Sequence, residues 1–264
     1  MNQNGGIATG VPKPQGLQIG FFGVEEPNLG VRKSMEDFLL IEEDVLGDGR
    51  FAVFVVMDGH GGSEVVKLVK SRFPEFYRSA LRAQGAMKGA VKAAIASTAN
   101  LIANSGTKGS GTTFCGLFVD RQTRSCLAAN IGDSRMIGGR KPAFITSEHK
   151  VSNEAEARRI RQVGGTIING RVGGTLMVTR SLGDVELASS GVTAEPELLE
   201  FPAEKGLIAI ASDGLWDQVT PQAFEQTLKK FIGRPLSELG GALVDQAIAD
   251  GSMDNISLIL IVFA

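Results

Sequence analysis

Phe51-Ala-Val-Phe-Val-Val-Met57 runs directly into Asp58-Gly-His-Gly-Gly62. An apolar run of this length, rich in Val and Phe, reads as a strand, and apolar residues at every position require cover on both faces. The event recurs downstream, where Leu207-Ile-Ala-Ile-Ala211 passes through Ser212 into Asp213-Gly214, with Asp217 close behind. A carboxylate at the mouth of a buried strand costs on the order of several kcal/mol unless it is paired or bound to a cation. Two such acids, each followed by glycine, point to acids gathered around a metal.

Working outward, further short runs rich in Val, Ile and Phe read as strands over 18–24, 38–42, 112–119, 125–130, 134–137, 197–201 and 256–263. Helical patterns occupy 63–73, ending at Pro74, then 83–104, 153–163, 221–231 and 237–250. Asn153 and Glu156 have capping-box spacing, and Thr220-Pro221 places a cap before an N1 proline. Strands cluster instead of alternating with helices, which argues against a doubly wound parallel sheet. No repeat or low-complexity linker divides the chain, so one domain over residues 18–264 is expected, preceded by a loose Gly/Asn/Pro-rich tail at 1–17.

A hydrophobic content of 43% across 264 residues suits a large core, and the net charge of −2 gives no reason to expect a nucleic-acid partner. No apolar stretch is long enough to span a membrane. The amino terminus lacks the apolar core of a signal peptide, so cytoplasm or nucleus is the expected location. Cys115 and Cys126 lack metal-type spacing and sit in strand-like surroundings, as reduced buried thiols would. Cys115 and Arg121 match the C-x5-R spacing of cysteine phosphatases. The intervening Leu117, Phe118 and Val119 cannot cradle a phosphate, so the match reads as accidental and both thiols as dispensable for chemistry.

The acids at element edges are Glu36, Asp37, Asp58, Asp133, Asp184, Asp213, Asp217 and Asp254. Any one Asp-Gly is far more often a turn than a ligand; the set carries the reading. Oxygen donors of this kind suit Mg²⁺ or Mn²⁺, and with only two histidines and two cysteines a zinc site is not expected. Paired cations suit phosphoester hydrolysis. Arg32 could hold a phosphate in a bidentate fashion, and His60 could protonate a leaving alkoxide.

Eight motifs then occur in order: Arg32-Lys-Ser-Met-Glu-Asp37, Asp58-Gly-His-Gly-Gly62, Gly109-Ser-Gly-Thr-Thr113, Gly132-Asp-Ser-Arg135, Arg180-Ser-Leu-Gly-Asp184, Glu195-Pro196, Ser212-Asp-Gly-Leu-Trp-Asp217 and Gly251-Ser-Met-Asp-Asn255. Together they resemble the metal-dependent type 2C serine/threonine protein phosphatase (PPM) family over nearly the whole chain. The resemblance implies an α+β fold, a four-layer αββα sandwich of two central antiparallel β-sheets flanked by helices. It implies two Mg²⁺ or Mn²⁺ ions bridged by Asp58, with Asp213 and Asp254 on one and Glu36 and the Gly59 carbonyl on the other, Asp37 nearby. Asp133 and Asp217 match positions that support a third, weaker cation. Arg32 would bind the substrate phosphate and His60 would be the general acid. A metal-bridging hydroxide would attack phosphorus directly in phosphoserine or phosphothreonine of a phosphoprotein, with the enzyme acting as a monomer.

Departures from the family pattern are modest. Glu148-His149-Lys150 stands where Asp-His-Lys is usual, which leaves His149 a structural role, and Met253 replaces a frequent arginine. Residues of about 151–190 correspond to the flap beside the active site. The stretch from Asp184 to Glu195 is brief and nothing follows the last strand, so regulatory appendages are expected to be minimal. Two rivals remain: an inactive adaptor of the same fold, which would be expected to have lost metal ligands, and a phosphatase for a small phosphate ester.

Overall fold

The computed structural model describes residues 17–139 and 143–264. In chain order the strands and helices are β1 (Ile19–Glu26), β2 (Asp37–Glu42), β3 (Phe51–His60), α1 (Glu64–Gln84), α2 (Met87–Ser105), β4 (Gly111–Thr112), β5 (Phe114–Asp120), β6 (Ser125–Ile131) and β7 (Arg135–Gly138). There follow β8 (Ala143–Phe144), α3 (Glu154–Gln162), β9 (Ile167–Ile168), β10 (Arg171–Val172), β11 (Leu182–Gly183), a 3-10 turn at Val185–Ser190, β12 (Glu197–Pro202) and β13 (Gly206–Ala211). The chain closes with α4 (Asp213–Trp216), α5 (Pro221–Lys230), α6 (Leu236–Ala249) and β14 (Ile256–Phe263).

Two antiparallel sheets form the centre. One runs β1-β14-β13-β7-β8; the other runs β11-β4-β3-β5-β6-β12, with β2 also paired to β3. Period-two alternation in β3 explains its unbroken hydrophobicity. Phe51, Val53, Val55 and Met57 pack beneath α1 and α2 with Val69, Phe73 and Ile95, whereas Ala52, Phe54 and Val56 face the other sheet. β14 does the same in mirror fashion: Ile259, Ile261 and Phe263 enter the layer between the sheets, and Leu258 and Leu260 pack against Leu239 and Leu243 of α6. The αββα sandwich expected from the resemblance is therefore present, and both key apolar runs are inner strands covered on two faces.

Several local expectations need correction. α1 does not end at Pro74 but carries it internally as far as Gln84. A proline there forfeits a backbone hydrogen bond at a cost of about 3 kcal/mol. The apolar stripe Val65, Val66, Val69, Phe73, Tyr77 and Leu81 crosses it without interruption, and its burial outweighs that loss. The following helix starts at Met87, since Gly85 takes the left-handed conformation (φ 68°) that closes α1, its N–H donating to Leu81 O. The Asn153 side chain does cap α3, accepting from Ala155 N, but Glu156 does not complete a capping box; its carboxylate is taken by arginines. Leu17, assigned to the tail, is buried in the inter-sheet core; the rest of that tail lies outside the described residues.

Candidate active site

β3 continues three residues beyond Met57, and this extension places the acids. Asp58 pairs directly with Asp37 of β2, Gly59 with Thr112 and His60 with Gly111. The turn comes only at Gly61 and Gly62, both with positive φ, and a Cβ on Gly61 would strike the Gly109 carbonyl. Like charges directly opposite one another on antiparallel strands are destabilising, so the Asp37–Asp58 register needs a compensating cation or proton.

The surrounding residues hold this pair in place. Thr113 Oγ1 accepts from Asp58 N at 3.0 Å, and Thr112 Oγ1 and Thr113 N both donate to Asp58 O. Ser212 Oγ donates to Asp37 Oδ2 at 2.7 Å. Asp213 follows at the first position of α4, and Asp254 lies in the turn before β14. Asn255 ties the loop bearing Arg32 and Glu36 to that turn: its Oδ1 accepts from Glu36 N, and its Nδ2 donates to Pro27 O and Ser34 O. Asn28 Nδ2 adds bonds to Ser252 O and Asp254 O.

Arg32, Glu36, Asp58, Gly59, His60, Asp133, Asp213 and Asp254 line one cleft of about 340 Å³, together with Arg171 and Leu176 to Val178 from the segment after α3. Asp37 is buried just behind it. Asp217 lies on an adjoining hollow shared with Arg32, Asp213 and Asp254. Arg32 meets the Asp254 carboxylate through Nη2 and donates from Nε to Met253 O at 3.0 Å. Glu36 Oε2 accepts from Gly62 N, and its Oε1 from Ser34 Oγ.

Burial drives the electrostatics. It raises Asp37 to about 6, helped by the Asp254 charge against the lowering bond from Ser212. It raises Asp213 to about 7, with Asp133 adding to the rise and Lys150 opposing it. Burial, then the Asp37 and Asp213 charges, pushes Asp58 well above the usual carboxylate range. Each carboxyl holds in the folded state a proton that the unfolded chain, near 3.8, has released. Their contribution to stability is present at low pH and lost as pH rises through 6 to 7. In EDTA the melting temperature should fall by at least about 5 °C between pH 5 and pH 8, and saturating Mn²⁺ should remove most of that fall. A flat metal-free profile would contradict the repulsion described here.

Among the described residues, no three carboxylate, imidazole or thiol groups form a ready-made ligand set. Three of the acids have partners of their own: Asp37 has Ser212, Asp254 has Arg32, and Asp133 has Lys150, whose Nζ is 2.9 Å from Asp133 and 3.9 Å from Asp213. Burial works against the Lys150 charge, but Asp133, then Asp213 and Asp217, more than restore it. The donor set nonetheless fits hard divalent cations, being all oxygen with buried acids in direct opposition. Lys150 bears on the third-cation reading, because an ammonium of the chain already stands between Asp133 and Asp213. Nothing in the spacing of Glu148-His149-Lys150 announced it.

Other polar residues have clearer outcomes. His60 Nε2 lies 2.8 Å from Asp184 Oδ2, which also accepts from Ser181 Oγ at 2.6 Å. Burial works against the His60 charge, but the bond to Asp184 leaves its pKa raised overall. His149 is buried, with Nδ1 accepting from Gly132 N, and burial followed by the Arg180 charge lowers it to about 4. Cys115 and Cys126 are free and buried, and burial pushes Cys126 up to about 12 and Cys115 further. Arg121 Nη1 donates to the Glu43 and Gly49 carbonyls, away from Cys115, so the C-x5-R match builds no site. The sequence reading overlooked Thr112, Ser212 and Asn255 as supports, although all three lie within the quoted motifs.

The site is thus an acid-lined cleft on a double antiparallel sandwich, with an arginine and a histidine on its walls. Comparison with known proteins gives the family: the Protein phosphatase 2C family description matches residues 23–256. The chain is 31% identical over 249 residues to "Probable protein phosphatase 2C 76" of Arabidopsis thaliana, aligning 89% of this chain with 57% of that one. It is 34% identical over 254 residues to "Probable protein phosphatase 2C 45" of Oryza sativa subsp. japonica, at 89% and 84% coverage. Among solved structures, a C. elegans sex determining protein superposes with a TM-score of 0.82 at 26% identity, over 95% of this chain and 65% of that one. A serine-threonine phosphatase 2C from Toxoplasma gondii shares the fold at a TM-score of 0.78 and 19% identity, over 96% of both chains. This chain belongs to the protein phosphatase 2C family. It spans little more than half the length of the Arabidopsis relative.

Proposed function

We propose that the protein is a metal-dependent serine/threonine protein phosphatase acting on phosphoserine and phosphothreonine in phosphoprotein substrates. The observation that carries this reading is the cross-strand opposition of Asp37 and Asp58 within a cleft that also holds Asp213, Asp254, Arg32 and His60. Residues 18–264 form the catalytic domain and residues 151–190 its flap, and the enzyme works as a monomer in the cytoplasm or nucleus. Asp58 would serve both of two Mg²⁺ or Mn²⁺ ions, with Asp213 and Asp254 on one, and Glu36, the Gly59 carbonyl and nearby Asp37 on the other. When bound, such cations supply Lewis acidity and a water acidic enough to attack phosphorus near neutral pH. Asp133 and Asp217 would hold a third only where Lys150 gives way.

The chain's own groups do the rest. Arg32 commits Nε to Met253 O and Nη2 to Asp254, so a bidentate grip on a phosphoryl group competes with its resting ion pair. His60, at the end of β3 on the cleft wall, delivers a proton to the departing serine or threonine oxygen. Among the described residues no helix is long and apolar enough to cross a membrane.

The direct test is hydrolysis of a phosphoserine peptide and of p-nitrophenyl phosphate by the full chain with Mn²⁺ and with EDTA. Both rates should fall at least about 100-fold in EDTA and return on adding metal. Activity that survives EDTA would sink the metal mechanism. Turnover of the small ester with none of the peptide would favour a small-ester phosphatase, and no turnover of either would favour an adaptor.

A further inference from the structure

Asp184 carries features that a loop acid ordinarily lacks. Its side chain is 6% exposed, and its backbone takes the left-handed conformation (φ 47°), uncommon outside glycine. Two backbone bonds hold it there: its N–H donates to Ser110 O, and Leu187 N donates to its carbonyl. Its Oδ2 takes both the Ser181 hydroxyl and the His60 ring. Gly111, opposite His60 in the β3–β4 register, completes the arrangement. A Cβ there would overlap Asp184 Oδ2 and lie 2.6 Å from His60 Nε2. The close approach of carboxylate to ring therefore depends on a missing side chain at a third position.

We propose that Asp184 is a positioning residue that grips Nε2 of His60 and so presents Nδ1 to the leaving oxygen of the phosphoester. The proposal rests on the phosphatase reading above, in which His60 is the acid. An imidazole whose one nitrogen is held by a carboxylate has a single tautomer and a set ring plane; an untethered ring divides its time among orientations. Ser181 holds the carboxylate in turn. In the reaction the ring starts as the imidazolium, and its Nδ1 proton passes to the alkoxide oxygen as the bond to phosphorus breaks. Water supplies the incoming oxygen, and the imidazole is left neutral with Nε2–H still donated to Asp184. A group acting this way matters in proportion to how poor the leaving group is.

The experiment compares wild type, Asp184→Asn, Ser181→Ala, His60→Ala and His60→Ala/Asp184→Asn on p-nitrophenyl phosphate, phenyl phosphate and a phosphoserine peptide, with Mn²⁺. For Asp184→Asn, kcat should fall about threefold on the nitrophenyl ester and about 30-fold on the other two, with KM changed less than about twofold. The double variant should lie within about twofold of His60→Ala, because Asp184 acts only through the ring. A loss equal for all three esters, or additive with His60→Ala, would overturn the proposal and leave a merely structural acid. Ring ¹⁵N shifts give a readout without turnover, and with only two histidines in the chain His60 is assignable by comparison with His60→Ala. Once the ring is titrated to its neutral form, metal-free wild type should show the Nε2–H tautomer and Asp184→Asn a mixture; an unchanged tautomer would also overturn it. Should Asp184→Asn fail to fold by circular dichroism, Ser181→Ala carries the same comparisons with smaller losses. A wild type inactive on every ester overturns the phosphatase reading, and with it any catalytic task for Asp184, whereas the ¹⁵N comparison still decides whether the carboxylate sets the ring.

Discussion

Asp58→Asn is expected to remove at least about 10³-fold of the phosphatase rate while making the metal-free protein more stable. The two effects have one origin. Asp58 is buried opposite Asp37, with Asp213, Asp133 and Asp254 adding to the negative potential at its carboxyl. Replacing it by a neutral amide of the same size relieves that repulsion and so benefits any state without cations. The same change removes the group proposed to serve both cations, and no neighbour can replace a carboxylate that enters from the end of an inner strand. Melting curves in EDTA at pH 8 should show Asp58→Asn above wild type, with the order reversed in saturating Mn²⁺. A variant less stable than wild type in EDTA would mean that Asp58 is a structural acid satisfied by its surroundings. The fold tolerates the unfavourable cluster because the rest of the 264-residue chain stabilises it, a common trade between stability and activity.

Glu156→Gln should have the largest effect on stability away from the cleft. Its carboxylate has a side-chain exposure of 5% and takes Arg180 Nη2 at 2.6 Å, Arg159 Nη2 at 2.8 Å and Thr179 Oγ1 at 2.7 Å. Burial alone would raise its pKa, but the bonds from Arg180, Arg159 and Thr179 bring it down to about 2. Removing the charge strands two arginines in a poorly solvated place, a loss of about 3 kcal/mol, or about 8 °C in melting temperature for a chain of this size. Because this pKa is depressed, the stabilisation is present above about pH 4.5 and lost as pH falls toward 2. The gap between wild type and variant should therefore close over that interval; a gap independent of pH would assign the loss to packing. Arg159 Nη1 also donates to Gly191 O, so Glu156 joins α3 to the segment that carries Ser181 and Asp184. Loosening it should also lower turnover through the proposed flap.

The core was legible because its signals are local and periodic. β3, β13 and β14 announce themselves by apolar runs, broken in β14 only by Ser257, and the structure places both faces of each against packed layers. The helix boundaries at Pro74 and Gly85 were misread because propensity is a short-range quantity. The stripe from Val65 to Leu81 continues beneath the second sheet, and that long-range packing decided where α1 ends. The acids were also legible as a set, each beside glycine or serine at an element edge. Their partners were not. Lys150 on Asp133, Arg32 on Asp254 and Asp184 on His60 join residues 17, 222 and 124 positions apart or lying on separate segments, and no spacing rule reaches that far.

By itself the sequence determined that buried strands end in acids, since burial on two faces and the cost of a strand-end carboxylate are both readable from residue type and order; the sandwich itself came from the family resemblance of the ordered motifs. Only the tertiary structure decided which acids face each other, that β3 runs on to His60, and which cation or proton donor each acid meets. Those outcomes depend on strand register and on side chains converging from distant segments, where a shift of one residue would send Asp58 to the opposite face.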